Sequence, residues 1–139
     1  MRRVVVSGIG AVTPLGGDIK STWENLIKNK SGANLISKFD TSDFQTKISC
    51  EVPLKSDQDS SASSFDSSKW FSSKDLRKVD DFIIFGVAAA EMALEDSLLK
   101  NHNFDPNKIG VGVGSGVGGL PSIETVSYTH LTLPTILRV

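Results

Sequence analysis

Residues 74–99 read KDLRKVDDFIIFGVAAAEMALEDSLL, and the reading of the fold starts there. The first part is crowded with charge: Lys74, Asp75, Arg77, Lys78, Asp80 and Asp81. Leu76, Val79, Ile83 and Val87 recur at spacings of three and four, which puts them on one helical face. From Phe82 to Ala90 almost every side is apolar or small. The pattern predicts one long helix over 74–99, opened by Ser73 as its N-cap. A helix apolar all round has to be covered all round, so its body belongs inside a layered domain. That apolar body is short and rich in Ala and Gly, and its charged entrance sits in water, which argues against a membrane span.

The rest of the chain fits one soluble domain or a piece of one: 139 residues, 39% hydrophobic, 22% charged, formal net charge −1. So even a balance gives no reason to expect nucleic-acid binding by the surface as a whole. A single cysteine excludes an internal disulfide framework and suits a reducing compartment. The apolar run Val4–Val6 is too short for a signal-peptide core, so a cytoplasmic location is expected.

Before the long helix, Arg3 to Ser7 is a β-branched run ended by Gly8, the pattern of a strand buried on both faces. GIGAVTPLGG follows. It opens like a dinucleotide-binding fingerprint, but Thr13 stands where the third glycine belongs and Pro14 interrupts the cradle helix, so we read a structural turn. Asp18 is a good N-cap for a helix from Ile19 to about Asn29, with Ile19, Trp23, Leu26 and Ile27 facing a core and Gly32 marking its stop. Ile48, Cys50 and Val52 alternate with Ser49 and Glu51, which predicts a short half-buried strand. Cys50 has Glu51 beside it and no nearby histidine, so the expected role is that of a buried small hydrophobe rather than a nucleophile.

Lys55 to Ser73 is serine-rich and reads as a surface loop, mobile at its start, whose end Trp70 and Phe71 pin against the body. Lys74, Arg77 and Lys78 share one flank of the first helical turns, where cations oppose the helix dipole. Either they are a solvated face paired with Asp75, Asp80 and Asp81, or they dock an acidic partner. Asp105-Pro106 marks a turn. In IGVGVGSGVGG, residues 109–119, Ile109, Val111 and Val113 alternate with glycine. That predicts a strand with one bare face, which something approaches closely, followed by a tight loop. No GK[ST] follows, so it is not a P-loop.

Three motifs, VVVSGIGAVTPLG, KDLRKVDDF with its small-residue helix, and IGVGVGSGVGGL, resemble in this order the amino-terminal part of the β-ketoacyl-acyl-carrier-protein synthases. The likeness is closest to the type II enzymes of bacterial fatty-acid synthesis and covers nearly everything from Arg2 to Glu124. The resemblance implies an α/β chain that is part of a thiolase-like fold, two similar halves stacked in layers and working as a homodimer. It implies a decarboxylating condensation between an acyl thioester and malonyl-acyl carrier protein, with no cofactor, no metal, no nucleic acid and no membrane. The family's nucleophilic cysteine and two histidines lie beyond the matching part, and Cys50 does not align with that cysteine. This chain by itself is therefore expected to be inactive and to fold poorly. Carried over residue by residue, Lys74, Arg77 and Lys78 match the basic residues that meet the acidic carrier protein. Val117 matches an apolar position lining the acyl pocket. The loop 55–73 departs from the family in length and polarity.

After Glu124 the likeness stops. TVSYTHLTLPT back-translates, apart from its first base, into a transposase-type sequencing adaptor. Residues 125–139 are therefore expected to be a non-native translated tail, to be left out of fold reasoning, His130 included. Two rivals stay open: another thiolase-fold protein, such as a polyketide synthase or chain-length factor, and a non-catalytic module binding an acidic partner.

Overall fold

The computed structural model describes residues 2–56, 61 and 63–132, with the side chains of 130–132 left out. The expectation of mobility at the start of the serine-rich loop falls largely on residues 57–60 and 62, which lie outside the described residues, as do 133–139.

Helix α1 runs Ile19–Ile27. Asp18 opens it as expected: its carboxylate accepts from Ser21 N at 2.7 Å, and Ser21 Oγ returns a bond to the Asp18 amide. The helix stops sooner than Gly32 predicts, because Asn29 adopts a left-handed φ of 53° and turns the chain away. Thr13 and Gly16 exchange both backbone hydrogen bonds around Pro14 and Leu15, at 2.9 and 3.1 Å. The α1 side chains finish that turn. Asn25 Nδ2 donates to the Leu15 carbonyl at 2.6 Å, and the Thr13 and Thr22 hydroxyls meet at 2.8 Å. GIGAVTPLGG is thus the structural turn read from its residues. Trp23, expected in a core, is 61% exposed, and Leu26 and Ile27 are exposed beside it. The apolar stripe is real, but no described element covers it.

Strands β1 (Asn34–Leu35) and β2 (Ile48–Ser49) pair antiparallel, the one named sheet among the described residues. The alternation read at 48–52 is present, but the faces are partly exchanged. Cys50 is exposed, whereas Glu51 is half-buried. The cause is polar. Ser37 Oγ donates to Glu51 at 2.7 Å and Ser49 Oγ at 3.0 Å. The Ser37 bond leads in holding the Glu51 carboxyl below its ordinary pKa. Those bonds turn Glu51 toward the hairpin and leave the thiol outside.

The serine-rich loop supplies the most buried large side chain among the described residues. Phe65 is 2% exposed. Its amide donates to the Pro53 carbonyl at 2.7 Å and its carbonyl accepts from Lys55 N at 2.9 Å, a parallel bridge to Leu54. Its ring meets Phe85 edge-on at 5.4 Å. Trp70 and Phe71 pack on the same cluster, as expected, with Val12, Val52, Leu76, Val79 and Met92 around it. Next to Phe65, Asp66 caps a 3-10 turn, Ser67–Lys69, accepting from Ser68 N, Ser68 Oγ and Lys55 Nζ. The Ser68 hydroxyl first, then Lys55, hold its carboxyl down at about 2. A lowered folded pKa stabilises the turn above the ordinary carboxylate value of 3.8, and that support is lost as pH falls through about 2. A carbon-13 NMR titration should give an Asp66 midpoint near 2; a midpoint at 3.8 removes the capped turn.

The long helix expected over 74–99 is broken. Helix α2 spans Ser73–Leu76 and helix α3 Asp81–Asp96, and the N-cap of α2 is Ser72 rather than Ser73. Asp80 is extended at φ −76°, ψ 156°, and its carbonyl accepts from Ile83 and Ile84. The break divides the expected apolar face. Leu76 and Val79 pack on the Phe65 cluster from the turn, while α3 buries Ile84 and Ala88 instead. It also changes the dipole reading. Asp80 and Asp81 open α3, where acids are favourably placed, and Arg77 and Lys78 lie in the turn between the two helices.

The N-terminal segment crosses α3 at close range. A Cβ on Gly8 would lie 2.3 Å from the Ala93 carbonyl oxygen, and one on Gly10 would lie 2.0 Å from that of Ala89. Ile9 N donates to Asp96 at 2.8 Å. Neither residues 3–7 nor 109–113 form the strands expected of them, because no described segment offers either a hydrogen-bonding ladder. Helix α4, Leu120–Thr132, runs past Glu124 into the stretch expected to be a non-native tail. No described helix is long and apolar enough to cross a membrane.

Phe65, Ile84 and Ala88 are the buried hydrophobic side chains among the described residues, while Val4, Val5, Val6, Val111 and Val113 stand exposed. So small a core predicts that these 139 residues alone melt broadly and bind hydrophobic dye. A sharp, cooperative melt as a monomer would overturn this.

Candidate functional site

Two features meet at the start of α3. The first is the basic turn. Lys74, Arg77 and Lys78 are all exposed, and none forms an ion pair with another described residue. The acids expected to neutralise them are engaged elsewhere. Asp75 accepts from Ser72 Oγ at 2.6 Å, Asp80 from Ser122 Oγ at 2.6 Å, and Asp81 faces Lys38 at 3.4 Å. None of these acids forms an ion pair with the three cations among the described residues. Three cations are left facing water on one turn.

The second is an open apolar cleft of about 730 Å³ between α3 and the glycine ribbon. Phe82, Ile83, Gly86, Val87 and Ala90 line one side, and Val111, Val113 and Gly114–Gly116 the other. The bare-backbone face of the ribbon is real, but its close neighbour is not among the described residues. A Cβ on Gly110, Gly112, Gly114 or Gly116 would meet nothing within 4 Å. Val117 lies one residue past the cleft lining and is 70% exposed. Gly118 then turns the loop with φ +76°, a conformation that favours glycine. Val117 is therefore not among the residues that line the cleft.

Cys50 lines a separate cleft of about 340 Å³ with Lys38, Phe39 and Phe85. The residue-level reading missed Asp80 and Gly119, which join the turn to the loop, although an acidic residue just before an apolar helical run is an N-cap signature.

A model of the β-ketoacyl synthase N-terminal domain matches residues 1–134. The chain belongs to the β-ketoacyl synthase family. Among curated relatives, it is 40% identical over 131 residues to the 3-oxoacyl-[acyl-carrier-protein] synthase 2 of Rhizobium meliloti. It is 42% identical over 124 residues to the enzyme of that name from Vibrio cholerae. These alignments cover 93% and 89% of the chain but 30% and 28% of the relatives, so the chain spans less than a third of their length. Two solved structures share its fold. The ishigamide ketosynthase/chain length factor gives a TM-score of 0.67 at 27% identity, over 94% of this chain and 30% of that one. A type II polyketide ketosynthase in complex with its acyl-carrier protein, AntDE:AntF, gives 0.61 at 32%, over 95% and 33%. The partial α/β, thiolase-like class expected from the motifs is the class these β-ketoacyl synthase relatives place it in.

Proposed function

We propose that this chain is the amino-terminal part of a 3-oxoacyl-[acyl-carrier-protein] synthase of the type II class, which elongates acyl chains by decarboxylating condensation with malonyl-acyl carrier protein. The observation that carries the reading is 40% identity over 131 residues to an enzyme of that name. Within it, Lys74, Arg77 and Lys78 steer the acidic carrier protein toward the entrance. Val117 and the cleft behind it receive apolar acyl chain. The acyl-accepting thiol and the two histidines that assist loss of carbon dioxide come from sequence beyond the matching motifs. The intact enzyme works as a homodimer in the cytoplasm, on acyl and malonyl thioesters, without a cofactor. The test is an assay of the protein expressed from the uninterrupted gene. It should release carbon dioxide and yield a 3-oxoacyl product two carbons longer, while the 139-residue chain yields none. An intact protein that makes no such product overturns the reading.

A second reading has a specific observation behind it: of the two structures named above, one is a ketosynthase/chain length factor and the other a type II polyketide ketosynthase. Products extended by several ketide units, or a downstream sequence without the reactive cysteine, would favour it.

Residues 125–139 are, in the same proposal, a translated adaptor tail. The reading rests on the adaptor-like string 125–135, although the family match runs on to residue 134. Re-amplifying the locus from genomic DNA decides the matter, and native codons for the same residues would refute it.

A further inference from the structure

Asp80 holds an unusual position. Its backbone caps α3, yet its side chain makes no capping bond to that helix. The carboxylate reaches across to α4 instead, where Oδ1 accepts from Ser122 Oγ at 2.6 Å. Helix α4 begins at Leu120, so Ser122 is its third residue and Gly119 the residue just before it. Gly119 can supply no cap of its own. A Cβ there would lie 1.9 Å from Asp80 Oδ2. The carboxylate thus fills the space that an Asp or Ser side chain at 119 would use, at the start of α4. The ring of Phe82 closes the other side, 3.5 Å from the same Cβ position and 3.7 Å from that of Gly118.

We propose that Asp80, bonded to the Ser122 hydroxyl and packed against Gly119, is the positioning residue holding the GSGVGG loop to the basic turn. Arg77 and Lys78 lie just before Asp80, and Gly114–Gly116 of the loop line the apolar cleft. One side chain therefore fixes the cleft mouth relative to the cations. The consequence for carrier docking rests on the synthase reading; the latch itself does not.

The test is hydrogen exchange in the protein expressed from the uninterrupted gene. Asp80→Ala should speed exchange across residues 114–124 by about tenfold, with the amides of 84–90 unchanged. Asp80→Asn should keep most of the protection, because its amide oxygen still accepts from Ser122. Gly119→Ala, which evicts the carboxylate, and Ser122→Ala should reproduce the loss if Asp80→Ala fails to fold. If Asp80→Ala loosens only residues 82–85, or leaves 114–124 unchanged, Asp80 is an ordinary cap of α3 and the latch is overturned. An intact protein with a protected loop but no 3-oxoacyl product would sink the synthase reading and leave the latch standing.

Discussion

On the proposed synthase reading, reversing Lys74, Arg77 and Lys78 together to Glu should lower kcat/KM for carrier-protein thioesters by about 10- to 100-fold at low ionic strength. The loss appears in KM, with kcat retained. The three cations are exposed and their neighbouring acids are bonded elsewhere, so removing them breaks no described ion pair and unfolds nothing. Reversal also replaces attraction with repulsion at the same turn, which a mutation to Ala does not. Added salt should narrow the difference from wild type as the Debye length falls from ~10 Å at 0.1 M toward ~3 Å at 1 M. The measurement is steady-state kinetics of the intact protein at several salt concentrations. An unchanged KM across that range removes the docking role and, with it, the acidic-partner alternative.

Gly10→Val is the larger blow to the fold, at about 3 kcal/mol or more. A Cβ at Gly10 would sit 2.0 Å from the Ala89 carbonyl oxygen and 2.7 Å from the Ala93 amide nitrogen. Both are helix backbone, held by the ladder of α3, and neither can swing aside as a side-chain end would. Gly8 makes the same approach one turn on, against Ala93 and Ser97. Ala89, Ala93 and Ser97 recur every fourth residue, so α3 offers a row of small side chains along which the N-terminal segment runs. Urea unfolding of the intact protein should show the midpoint of Gly10→Val well below wild type with the slope unchanged. Coincident curves would mean that the segment and α3 are not in contact.

How much of this was legible depended on whether the deciding partner is local. The Asp18 cap, the Thr13–Gly16 turn and the Asp105-Pro106 turn use neighbours within a few residues, and each stands as read. The break before α3 did not show in the spacing of Leu76, Val79, Ile83 and Val87, which fits one helix as well as two elements. Phe65 was one aromatic among serines, and its burial depends on a bridge to Leu54 and a close approach to Gly17 that no local pattern encodes. At Glu51, alternation gave the period but not the face, and Ser37, fourteen residues away, chose it. At the candidate site the basic turn was readable from charge alone. The cleft was readable only in part, because the glycine ribbon announces a close neighbour without saying which.

The bridge between Leu54 and Phe65 also bears on how this lineage can vary. It closes the first part of the serine-rich stretch at its base, with Phe65 buried at the closure. Lengthening a ring already closed at its base is cheap, about 0.6 kcal/mol for each doubling. Insertions, tags or whole epitopes between residues 56 and 63 can therefore drift in size and composition while the aromatic cluster beneath them keeps its shape. The stretch is then a convenient place to attach a probe.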